Sequence, residues 1–78
     1  MKVQLSTHQR MVIVKGICAG VALRDKEPVI NKDNNGIIEI SHKGVVNIWD
    51  LCAISCDAEA FGLKAKFHPN RIEIIQES

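Results

Sequence analysis

The hydrophobic and polar positions along this chain change period once, near Gly44. Before that point the apolar residues alternate with polar ones or run in short β-branched blocks. In "KVQLS" (2–6), Val3 and Leu5 share one face of an extended segment. "RMVIVK" (10–15) is a β-branched run closed by Gly16, and "ICAGVALR" (17–24) reads as a further strand in which Gly20 marks a bulge or bend. The intervening "THQ" and the later "DKEP" are turns. "VIN" (29–31) opens a short extended segment that ends in "KDNNG". There Asn35-Gly36 is the strongest hairpin signal in the chain, because both residues tolerate positive φ. "GIIEIS" (36–41) is the returning strand.

Beyond "SHKG" the spacing of apolar residues lengthens to about 3.6, the α-helical repeat. Asn47 has the chemistry of an N-cap, and Asp50 stands where a carboxylate reaches back to a free amide. Gly62 stands where a left-handed residue ends a helix. These signals predict a helix from about Ile48 to Phe61. After it, "LKAKF" alternates, with Leu63, Ala65 and Phe67 inward and Lys64 and Lys66 outward. "HPN" turns the chain and "RIEII" returns it. The expected architecture is one α+β domain over residues 1–78. It comprises a mainly antiparallel sheet of about five to seven short strands, one α-helix near residues 47–61 packed on it, and a terminal β-hairpin. A parallel sheet would require helices alternating with strands.

The helix carries more apolar surface than one sheet can cover. At 100° per residue, Leu51, Ile54, Ala58 and Phe61 form a stripe suited to a core. Trp49, Cys52, Ala53, Cys56 and Ala60 form a second stripe on the far side. Asp50 and Asp57 separate the two along one border, and Ser55 and Glu59 along the other. Exposure of a side chain the size of Trp49 forgoes about 1.5 to 3 kcal/mol of burial, and a contiguous apolar patch usually marks an interaction site. Trp is enriched at interface hot spots, and the small residues beside it let another backbone approach closely. The second stripe is therefore expected to contact a protein partner, in the simplest case a second copy of the chain in a two-fold homodimer. The competing reading is that the chain's own loops or strands cover it.

Composition removes several function classes. Ten Lys and Arg against nine Asp and Glu give a net charge of +1, with the signs interleaved. A dedicated nucleic-acid binder would show clustered basic excess. The best candidates for such contacts are Lys64, Lys66 and Arg71 on the terminal hairpin, with Arg10 and Lys15 as further bases that could join them. Stacking platforms are scarce, because the chain has one Trp, two Phe and no Tyr. Cross-strand pairing of Lys64 or Lys66 with Glu73 is the simpler reading, so nucleic acid is the alternative partner and not the favoured one. No run of about 18 apolar residues is present, so no membrane contact is expected. The polar N-terminal segment is unlike a signal peptide, and with an odd number of cysteines it suggests a cytoplasmic location.

Catalytic and cofactor chemistry finds little support. Cys52 and Cys56 sit one helical turn apart and could join Cys18 and one of His8, His42 or His68 around zinc. Their spacing lacks the short Cys-x-x-Cys knuckle, and buried cysteines commonly serve as small hydrophobes. Neither thiol has the cationic neighbour or helix N-terminus that activates one. Ser41-His42 and Thr7-His8 are sequence neighbours, which point apart on a strand. Asp50 and Asp57 are about 10 Å apart along the helix axis, too far to share a proton. No phosphate loop, dinucleotide glycine pattern or nucleophile elbow occurs. The sequence thus reads as a non-enzymatic interaction module, a small regulatory, inhibitory or accessory protein expected to self-associate through the second apolar face of its helix, without metal or cofactor.

Overall fold

A computed structural model describes residues 5–32 and 37–76. In chain order its elements are helix α1 (Thr7–Ala19), a 3-10 turn (Arg24–Lys26), strands β1 (Val29–Lys32) and β2 (Ile38–Ser41), helix α2 (Ile48–Ala60), and strands β3 (Leu63–His68) and β4 (Arg71–Gln76). The fold is α+β, and it ends in the expected strand hairpin. The described residues contain four strands and two helices, fewer strands and one more helix than the sequence pattern predicts.

The difference lies in residues 10–24. The β-branched runs "RMVIVK" and "ICAGVALR" do not form strands; most of their length belongs to α1. Two physical signals outweigh the strand preference of Val and Ile. Ser6 and Gln9 form a reciprocal capping box at the helix start. Met11, Val14, Ile17 and Cys18 then recur at helical spacing, and Val14, Ile17 and Cys18 are buried. Residue propensity for either state is a weak prior that such packing overrides. Gly20 does not make a bulge; it caps the C-terminus of α1, its N–H donating to the Ile17 carbonyl at 3.1 Å. Of the expected strand at residues 2–6, residues 2–4 lie outside the described set, and Leu5 and Ser6 are irregular. Asn35-Gly36 also lies outside it, although the strands flanking it do pair antiparallel.

The sheet has the order β1-β2-β4-β3, with every neighbouring pair antiparallel. Register places the apolar residues of each strand opposite those of the next. Ile30 faces Ile40, Ile40 faces Ile72, Ile38 faces Ile74, and Ala65 and Phe67 face Ile74 and Ile72. Because strand side chains alternate between faces, these residues line one side of the sheet. Ile38, Ile40, Ile72 and Ile74 are buried there with Val14 and Ile17 of α1, Leu23, and Ile54 and Ala58 of α2. One core thus receives both helices, with α2 packed mainly against β3 and α1 against β2 and α2.

Backbone hydrogen bonds fix the approach to α2. His42 N–H donates to the Asn70 carbonyl at 3.1 Å, and Lys43 N–H donates to that of Lys26 at 2.8 Å. Gly44 follows at φ +78°, a conformation open to glycine at little cost. Val46 packs against the core and Val45 points outward.

Candidate interaction face on the second helix

The sequence determines where α2 begins. Asn47 is extended (φ −75°, ψ 167°), and its Oδ1 accepts from the Asp50 N–H at 2.9 Å, while its carbonyl accepts from Leu51 N–H at 3.0 Å. Asp50 adds a negative charge in the first turn, where the helix dipole favours one. At the other end Gly62 N–H donates to the Glu59 carbonyl at 3.0 Å, and Gly62 has φ +75°.

Ile54 and Ala58 are buried in the core, so two of the four residues expected to face it do so, while Leu51 is half-buried outside that cluster. Phe61 does not face the core: it is 54% exposed. The helix ends at Ala60, and Phe61 is the C-cap at φ −107°, ψ 12°, outside the helical path that would have carried its ring onto the sheet.

Trp49 is 81% exposed, and Cys52, Ala53, Cys56 and Ala60 are exposed as well. The structure therefore keeps all five on one solvent-facing side of α2, uncovered by the other described residues. Ile48 and Val45, at and just before the start of the helix, are exposed apolar residues too, at 69% and 85% exposure. The sequence reading omitted both. The signal for Val45 was the pair Val45-Val46 before the N-cap, where only one of the two valines can turn inward. The borders of the face are acidic: Asp50 and Asp57 on one side, Glu59 on the other. No Lys or Arg lies within α2.

The three thiols do not converge. Cys18 is in the core, and Cys52 and Cys56 are free and exposed. Burial pushes the Cys18 thiol up from 9.0 to about 11, which makes it a poor nucleophile and metal ligand near neutral pH. No three His, Cys, Asp or Glu side chains among the described residues come together in a way that could hold a metal ion. His8 is exposed on α1, His42 is buried at the end of β2, and His68 Nε2 meets Glu73 Oε1.

Lys64, Lys66 and Arg71 occupy the outer face of the terminal hairpin. That face also carries acids. Lys66 stands directly opposite Glu73, and Glu73 stands opposite Glu39, whose Oε2 lies 3.6 Å from Arg71 Nε. Arg10 and Lys15 are on α1 and not on a strand, so they do not extend this surface as a sheet neighbour would. Arg10 is half-buried and donates from Nη2 to Thr7 Oγ1 at 3.1 Å.

The chain matches no protein-family profile, no curated protein and no solved structure. No helix among the described residues is long and apolar enough to cross a membrane.

Proposed function

We propose that this chain is a non-enzymatic module that works by protein contact through the outer face of α2. The observation that carries the reading is the exposure of Trp49 together with Cys52, Ala53, Cys56 and Ala60 on one side of α2. Burial of Trp49 and its neighbours in a complex would recover apolar surface energy that the lone chain leaves unused. A domain of this size has a small core and gains stability from association. A second copy of the chain or a different protein would serve as the cover. The odd number of thiols, two of them exposed, supports a cytoplasmic setting.

The exposed thiols supply the test. A photo-reactive cross-linker attached to Cys52 or Cys56 should give an adduct of defined mass in an extract of the source cell. Trp49→Glu should remove that adduct while the chain stays folded. An adduct pattern identical in the parent chain and Trp49→Glu would overturn the reading, as would the absence of any discrete adduct.

Nucleic-acid binding through Lys64, Lys66 and Arg71 is the second class of function. Its weakness is the interleaving of Glu39 and Glu73 among those bases, and on that face the described residues include no Trp or Phe, while His68 is engaged with Glu73. Binding measured across a salt series would reveal it as a steep loss of affinity.

A further inference from the structure

The borders of the α2 face carry charge of one sign, which restricts what can cover it. Asp50 and Asp57 line one border and Glu59 the other, and the helix contains no base. A second copy could dock by two-fold symmetry in two ways. In the antiparallel arrangement each border meets its own equivalent, so the Asp50–Asp57 border faces another Asp50–Asp57 border. In the parallel arrangement that border faces Glu59. Acid opposes acid in both.

Distance decides whether this matters. Ala53, Cys56 and Ala60 are small and would draw a partner helix to an interaxial spacing of about 8 to 10 Å. Border charges on two helices that close lie within about one Debye length, roughly 8 Å in physiological salt, so screening does not erase their interaction. Like charges so placed weaken a pairing, and opposite charges favour it and speed encounter. The exposed helix is about 20 Å long, from its 13 residues at about 1.5 Å each, which matches a helix of similar length.

We propose that the outer face of α2 takes a basic amphipathic helix from a different protein. Its apolar stripe covers Trp49, Ala53 and Cys56, and its flanking Lys or Arg residues meet Asp50, Asp57 and Glu59. This rests on the contact reading above and names the chemistry of the partner.

Trp49 is the sole Trp of a chain without Tyr, so its emission reports directly on the cover. The probes are two synthetic helical peptides free of Trp. Both carry the same leucine stripe; one has lysine flanks and the other glutamate flanks. Under reducing conditions the lysine peptide should shift Trp49 emission to the blue with saturation. It should bind about tenfold or more tightly than the glutamate peptide, with the difference shrinking as salt rises. The variant carrying Asp57→Lys and Glu59→Lys should reverse the preference, and both sites are exposed, so the fold should tolerate the change. Equal affinity for the two peptides, or no reversal, would overturn the basic partner. Emission that shifts blue with chain concentration alone, together with a doubling of mass on sizing, would also overturn it while leaving the contact reading in place. If neither peptide nor concentration moves the emission, the basic helical partner falls, and the contact reading then stands or falls on the cross-linking test alone.

Discussion

Ser6 and Gln9 exchange hydrogen bonds across the first turn of α1: Ser6 N–H donates to Gln9 Oε1 at 2.8 Å, and Gln9 N–H donates to Ser6 Oγ at 3.1 Å. The pair satisfies two amides that a helix start otherwise leaves open. Ser6→Ala should therefore cost about 1 kcal/mol in urea unfolding. Gln9→Ala should cost less, and the double variant should fall short of the sum because the two bonds belong to one motif. A Ser6→Ala chain as stable as the parent would show that α1 is held by its packing alone.

The two sides of α2 should respond oppositely to substitution. Ile54 is buried between the helix and the sheet, so Ile54→Ala should cost about 2 to 5 kcal/mol. Trp49 stands in solvent, so Trp49→Glu should change the stability of the isolated chain by no more than about 0.5 kcal/mol. Thermal and urea unfolding of the two variants beside the parent chain measure both. A large loss for Trp49→Glu at dilutions where only monomer is present would mean that the chain itself covers this face.

One substitution should have opposite signs at two glycines. Gly16 lies inside α1, and a Cβ there would meet nothing within 4 Å. Gly16→Ala should stabilise by about 0.5 to 1 kcal/mol, since alanine has less backbone freedom to lose. Gly62 has equally open surroundings but φ +75°. Gly62→Ala should destabilise by about 1 to 2 kcal/mol from backbone conformation alone. The midpoint of urea unfolding should move in opposite directions for the two variants.

The thiols should separate into two kinetic classes. In the native chain Cys52 and Cys56 should react promptly with a disulfide reagent, and Cys18 should react only at the rate of opening. Counting fast and slow equivalents of released thiolate settles the point, and three fast equivalents would contradict the buried position of Cys18. The same burial has a consequence for pH. The folded state holds the Cys18 proton up to about 11, whereas an unfolded thiol releases it near 9.0. The unfolded state thus binds fewer protons between these values, so stability falls as pH rises from 9.0 to about 11 and is flat in this respect below. Cys18→Ala should make that alkaline decline shallower.

Much of the second half of the chain was readable residue by residue. Asn47 and Gly62 bracket α2 because capping chemistry is local, and the alternation Leu63, Ala65, Phe67 against Lys64, Lys66 survives as β3 because one face of the sheet is buried. In the first half two local signals conflict. "STHQ" carries a capping box, and the run Arg10–Lys15 that follows it is rich in Val and Ile, which suit strands. Spacing over a longer window, from Met11 through Cys18, resolves the conflict in favour of helix. Phe61 shows the limit in the other direction: its phase fits the core stripe, yet the helix ends one residue too early to deliver it.

By itself the sequence determined that α2 has two apolar sides with acidic borders, because side-chain direction on a helix follows from residue spacing alone. Only the tertiary structure decided which side is covered. The sheet and α1 share a single core with Ile54 and Ala58, and a helix resting on that core presents its opposite side to water. Trp49 is consequently exposed by the geometry of packing, while its companions, Cys52, Ala53, Cys56 and Ala60, were placed beside it by the order of residues.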